Sequence, residues 1–248
     1  MPQTGQVGRS FFRLPVTIVR KALVGSLVFG VTYVSFAHLR PILLSHRPLP
    51  GQGGASGRCA IWFVGSSTVA RWTTMAQDMR PWRTNNRGVA DALADEIVSR
   101  FAAEGRTQAP DIIVLYVGDN DLARGVTARA ITGKVAQFLQ DVHGRMPRTR
   151  VVVLGVKPSP ARWSLRDQQV ELDRMIRRVT QARAGVSFAD VAPVLIVDGR
   201  PGPYYLDDGI HLDPDGYRVW SQRVRRAVDA SAAAGGMAPC IVQPDTAA

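Results

Sequence analysis

The 248 residues can bury one sizeable core, and 46% hydrophobic with 21% charged residues is the balance of an ordinary globular chain. The formal charge of +11 suggests a nucleic-acid binder, but Arg9, Arg13, Arg20, Lys21, Arg40 and Arg47 lie in a first fifty residues that hold no acid, leaving 25 basic against 20 acidic residues beyond them. Arg174, Arg177 and Arg178, like Arg223, Arg225 and Arg226, fall on predicted helices and read as solvated faces; no basic patch interleaved with aromatics is found, and no nucleic-acid partner is expected.

The chain opens with a basic region and an apolar segment, "ALVGSLVFGVTYVSFA", Ala22 to Ala37. The positive charge on its N-terminal side predicts that this side stays in the cytoplasm. Ser35 and Ala37 form a small-x-small pattern that suits a signal peptidase. The segment is either a cleaved signal or a retained anchor, and both place the rest of the chain outside the cytoplasm, periplasmic or secreted, with anchoring to the inner membrane in the second case. Residues 1–44 are assigned to this segment and 45–57, "RPLPGQGGASG" within it, to a Pro/Gly linker. The main domain is expected over 58–233, with a flexible C-terminal tail over 234–248.

Within the domain, apolar runs alternate with helical periods. "CAIWFV", "DIIVLYV" and "VVVLGV" fit parallel strands buried on both faces. A strand near Trp82 to Asn85 follows from the rhythm, and "GVSFADV", Gly185 to Val191, is a weaker fifth. Helical stripes run through Leu93, Ile97 and Phe101, then Ile131, Val135, Phe138 and Val142, then Leu172, Ile176 and Val179. A last helix begins at "DPDGY", with Asp213 as its cap and Pro214 in its first turn. The order predicts an α/β domain with a parallel sheet of about five strands covered by helices on both faces. Cys59 and Cys240 either form one disulfide that pins the tail or remain two thiols; two cysteines alone make no metal site.

Ligands of open α/β sheets bind beyond the carboxyl ends of the strands. Those ends carry Gly65-Ser66-Ser67, "NNRG" (Asn85 to Gly88), "GDND" (Gly118 to Asp121), "KPSPARW" (Lys157 to Trp163) and, after the fifth strand, "DDGIHLDPDGY" (Asp207 to Tyr217). Taken singly, Ser66 or Ser67 reads as a helix cap, "NNRG" as a turn, and "GDND" as a strand-end turn whose spacing does not match a calcium loop. Asp208 and His211 are more informative. Three residues apart in a glycine-containing loop, they allow a carboxylate to meet the imidazole Nδ1 while Nε2 faces outward. Of the four histidines, His38 and His46 lie in or beside the apolar segment and linker, and His143 sits at a helix end where the helix dipole accounts for it. His211 is the candidate base.

Together these blocks resemble those of the SGNH (GDSL-like) hydrolases over roughly Ile61 to Trp220. The resemblance implies the fold of that family, a three-layer α/β/α sandwich on a flavodoxin-like sheet. It implies Ser67 as nucleophile in a Gly-Ser-Ser variant of the first block and Gly88 as an oxyanion-binding glycine. It further implies Asn120 as an oxyanion-binding amide and Asp208 with His211 as the rest of a triad. Ser66 stands where an aspartate is common, and "VADAL" follows Gly88 where small residues are frequent. The implied reaction is hydrolysis of a carboxylic ester, with the Ser67 N–H completing the oxyanion hole and neither metal nor organic cofactor required. An extracytoplasmic setting points to O-acetyl groups on carbohydrate as substrate, with lipid and other short-chain esters left open. Acyl transfer by the same residues, or a binding domain on the same fold, are the alternatives. Asp119 and Asp121 are expected to brace the loop around Asn120, and Trp163, Tyr204 and Tyr205 either line a substrate cleft or pack.

Overall fold

The computed structural model describes residues 47–105, 108–237 and 240. The predicted apolar signal or anchor segment, with His38 and His46, lies outside them. Among the described residues no helix is long and apolar enough to cross a membrane.

Five strands form one parallel sheet: β1 (Gly57–Gly65), β2 (Arg83–Gly88), β3 (Pro110–Tyr116), β4 (Arg150–Leu154) and β5 (Val186–Ala189). Their spatial order is β2-β1-β3-β4-β5, every pair parallel. The predicted second and fifth strands are both present, the second reaching Gly88 rather than ending at Asn85. Alternation along β1 splits the interior in two. Trp62 and Val64 join Ile113 and Leu115 on one face, and Ile61 and Phe63 join Ile112, Val114 and Tyr116 on the other.

The first face is covered by α3 (Ala94–Ala102), α5 (Ala128–Arg145) and α6 (Arg166–Gln181). Ile131, Val135, Phe138 and Val142 are buried as their spacing predicts, and so are Ile97, Phe101, Leu172 and Ile176. Leu93 is instead the residue that caps α3 and stays half-buried. The second face is covered by the short α1 (Ser67–Ala70) and α2 (Met75–Asp78) and by α7 (Pro214–Ala234). Asp213 caps α7 by accepting the Gly216 N–H at 2.7 Å, with Pro214 in the first turn. Trp72 and Trp220 meet edge to face at 5.0 Å, each with about 1% or less of its surface exposed. Each such burial stabilises the fold by roughly 2–3 kcal/mol. The result is the α/β/α sandwich expected from the sequence.

The stretch read as a linker belongs in part to this domain. Leu49 is buried in the first core, and the carbonyls of Pro50, Gly51 and Ala55 accept from Arg87 Nε, Asn85 Nδ2 and Trp62 Nε1. Proline and glycine make this backbone irregular, so its carbonyls are left for side chains to satisfy. Arg87 itself stacks on Trp62 and pairs with Glu104 at 2.8 Å in the interior. At the other end, Cys59 and Cys240 are joined in a disulfide, which fixes residue 240 of the expected tail to the amino end of β1.

Candidate active site

Sheet order reverses between β2-β1 and β1-β3, so chain leaves the carboxyl ends of β1 and β3 in opposite directions and opens a crevice there. Ser67 begins α1 directly after β1, while α4 (Asp119–Ala123) carries Asn120 after β3. Gly118, at φ +108, makes the turn between β3 and α4 in a conformation that a side chain disfavours.

His211 reaches the same crevice from the long segment after β5. Its Nε2 lies 3.0 Å from Ser67 Oγ, and its Nδ1 lies 2.6 Å from Asp208 Oδ2. The other oxygen, Asp208 Oδ1, accepts the backbone N–H groups of Ile210 (2.8 Å) and His211 (2.9 Å). Slight burial opposes ionisation of Asp208, but the His211 side chain and these two N–H groups outweigh it and hold the carboxyl well below its usual range. The aspartate therefore stays anionic and aims the ring. The loop is anchored on both flanks: Leu206 N–H donates to His211 O at 2.9 Å, and Ala161 N–H donates to Gly209 O at 3.1 Å. Lys157 Nζ donates to Ile210 O at 2.7 Å.

Ser66 is the capping residue of α1 through its carbonyl, which accepts from Val69 and Ala70, while its hydroxyl makes no capping bond. Tyr217 of α7 donates its hydroxyl to Thr68 O at 2.9 Å, tying this short helix to the second core.

Gly88 lies at the end of β2, but its N–H donates to Asn86 Oδ1 at 3.0 Å. The same Asn86 donates through Nδ2 to Val69 O at 2.8 Å, stapling α1 to β2. A Cβ at Gly88 would stand 2.2 Å from Ala70 N. The packing of α1 against β2 therefore requires glycine at position 88. The following residues bend back, with Asp91 at φ +60 and ion-paired to Arg124, and bring Ala92 O to within 3.1 Å of Asn120 Nδ2.

Asp119 and Asp121 brace the loop as expected. Asp121 Oδ1 accepts the Ala94 N–H at 3.0 Å. Asp119 is buried between Lys157 Nζ (3.0 Å) and Arg162 Nη1 (2.7 Å), the second a close charge contact rather than a well-aligned hydrogen bond. Burial pushes the Asp119 carboxyl up, but the two cations more than offset this, leaving it below its ordinary value. Of the aromatic candidates, Tyr205 donates its hydroxyl to Pro158 O, the Tyr204 ring packs against Gly202, and Trp163 is half-buried.

The sequence places Lys157 and Arg162 at a strand end without disclosing a role for either. The available signal is a lysine that directly follows the apolar run Val151 to Val156. A cation there has to find an acid, and Asp119 after the neighbouring strand is the available one.

Ser67, His211 and Asp208 stand in hydrogen-bonded series at the carboxyl edge of the five-stranded parallel sheet, an arrangement that serine hydrolases use. The chain belongs to the GDSL-like lipase/acylhydrolase family, whose model matches residues 54–219. A curated relative, platelet-activating factor acetylhydrolase IB subunit alpha1 of Homo sapiens, is 32% identical over 110 residues, covering 44% of this chain and 47% of the relative. The chain thus matches about half the length of that relative. Among solved structures, a GDSL-like lipase from Bacteroides thetaiotaomicron superposes with a TM-score of 0.59 at 17% identity, covering 73% of this chain and 94% of the other. A carbohydrate esterase of family 3 from Talaromyces cellulolyticus gives 0.58 at 18%, covering 69% and 96%.

Proposed function

We propose that this chain is a serine esterase that removes short acyl groups, acetyl foremost, from hydroxyl groups of carbohydrate. The observation that carries this reading is the Ser67–His211–Asp208 series, with consecutive separations of 3.0 and 2.6 Å. In the proposed reaction Ser67 Oγ attacks the ester carbonyl while His211 Nε2 takes its proton, and Asp208 stabilises the imidazolium so formed. His211 then protonates the departing alcohol. Water, deprotonated in turn by His211, releases the acid and restores Ser67. The oxyanion is assigned to the Ser67 N–H and to Asn120 Nδ2. Gly88 contributes only if its N–H leaves Asn86 Oδ1, so more of the oxyanion's stabilisation rests on the amide. Acetyl as the acyl group is supported by the acetylhydrolase relative, and carbohydrate as the alcohol by the esterase neighbour.

Export is part of the proposal. It is supported by the Cys59–Cys240 disulfide, a bond that persists in oxidising compartments, and by the basic, then apolar, N-terminal sequence. Membrane anchoring follows if the segment is retained.

Hydrolysis of p-nitrophenyl acetate and of acetylated sugars by the full chain tests the reading. Ser67→Ala is expected to lower kcat about 10⁴-fold or more, with an unchanged melting temperature. Turnover that survives in Ser67→Ala, or a folded wild type inert on both substrates, would sink it.

A further inference from the structure

An amide can serve an oxyanion only if its nitrogen, not its oxygen, faces the reacting centre. The two ends differ little in shape, so the surroundings must choose between them. At Asn120 they do so from both sides. Ala92 O can only accept, and takes Nδ2–H at 3.1 Å. The Arg162 guanidinium can only donate, and holds Oδ1 through Nη2 at 3.1 Å. A reversed amide would set oxygen against a carbonyl and nitrogen against a cation.

Arg162 is in turn fixed. Its Nη1 meets Asp119 Oδ1 at 2.7 Å, and its side chain is 15% exposed. Asp119 Oδ2 holds Lys157 Nζ, and Lys157 holds Ile210 O, one residue before His211. The turn bearing Arg162, Pro160–Leu165, also donates the Ala161 N–H to Gly209 O in the histidine loop. Two cations against one carboxylate leave a net positive charge beside the amide oxygen. That charge polarises the amide and makes Nδ2–H a stronger donor at the moment negative charge develops.

We infer that Arg162 is a positioning residue of the oxyanion site: through Asn120 Oδ1 it orients and polarises the amide that receives the oxyanion. This rests on the esterase reading proposed above. Arg162 also reaches the histidine loop through Asp119 and Lys157, so the test must separate that route from the one through Asn120.

A double-mutant cycle on the full chain tests this, using p-nitrophenyl acetate and the variants Asn120→Ala, Arg162→Met, Arg162→Lys and both Asn120→Ala doubles. Asn120→Ala is expected to lower kcat about a hundredfold and Arg162→Met about tenfold, with KM changed less than twofold. In the Asn120→Ala background the Arg162→Met loss is expected to shrink below twofold, since the group it acts through has gone. Arg162→Lys keeps a cation but not the planar fork, and is expected to recover part of the loss. An equal loss in both backgrounds, or a raised KM at constant kcat, would overturn the inference and leave the esterase reading standing. Should circular dichroism show Arg162→Met unfolded, Arg162→Lys carries the same cycle. A wild type without turnover would remove both.

Discussion

Two buried aspartates flank the carboxyl end of β4, and their surroundings treat them in opposite ways. Asp119 lies against Lys157 and Arg162, and its carboxyl falls below the ordinary range despite burial. Asp173, on α6, accepts the Val156 N–H at 2.9 Å, and its Oδ2 lies against Gly155. Burial raises its carboxyl to about 7; the Val156 N–H works against this and the Asp190 charge adds to it, while Arg166 and Arg177 offset only part. The same side chain is thus a fixed charge in one corner and an acid near neutrality in the other. The buried Arg87–Glu104 pair stands between them: burial lowers the arginine and raises the glutamate, and neither the Arg87 contact nor the weaker attraction of Arg145 overcomes it. Two cations in direct contact with one carboxylate distinguish the corner beside Asn120 and His211, where a settled charge is of use.

Breaking that corner gives the largest effect expected on stability. Lys157→Met leaves Asp119 with one cation and Ile210 O without its donor. Removing one partner from a buried ionic network costs about 3–5 kcal/mol, and denaturant unfolding should show it. Esterase turnover should fall as well, because the histidine loop loses an anchor. A loss below about 1 kcal/mol would mean that Arg162 alone suffices and that the two-cation comparison is wrong. A smaller effect is expected at the opposite end of the sheet. Cys240→Ser opens a disulfide that bridges 181 positions of sequence and should cost about 2–4 kcal/mol. The bond joins the amino end of β1, whereas Ser67 follows its carboxyl end. Turnover well below the melting temperature should therefore be unchanged. A drop in kcat on gentle reduction would show that the two ends of the sheet are coupled.

The sequence carries the fold because burial writes itself as periodicity. Strands covered on both faces read as unbroken Val and Ile runs, and Ile131, Val135, Phe138 and Val142 could face only one way. The Asp208–His211 spacing was legible for a related reason, since both residues lie in one short loop. Less legible were contacts decided by three-dimensional closure. Arg162 and Asn120 are 42 positions apart, and no local pattern says that one will hold the other's oxygen. Gly88 is read as an oxyanion donor because its block resembles one, and the resemblance does not disclose that its N–H meets Asn86 Oδ1. Proline and glycine at 47–57 suggested a linker, since composition does not disclose that the carbonyls of Pro50 and Gly51 would serve buried side chains of β2.

Asp173 offers the finest test of the comparison, because its charge can be changed by pH as well as by mutation. In the unfolded chain an aspartate loses its proton near pH 4, whereas the folded one keeps it until about pH 7. Between these values the folded state binds more protons, so stability falls as pH rises through the window; it is fully present below pH 4 and levels off above 7. Asn at this position resembles the protonated acid, keeps an oxygen for the Val156 N–H and does not titrate. Asp173→Asn should match the wild type near pH 4 and exceed it by on the order of 2 kcal/mol at pH 8, read from urea midpoints across the range. Two parallel stability profiles would show that Asp173 is charged in the folded protein, and that Arg166 and Arg177 do for it what Lys157 and Arg162 do for Asp119. The opposite pair of corners would then reduce to one arrangement used twice.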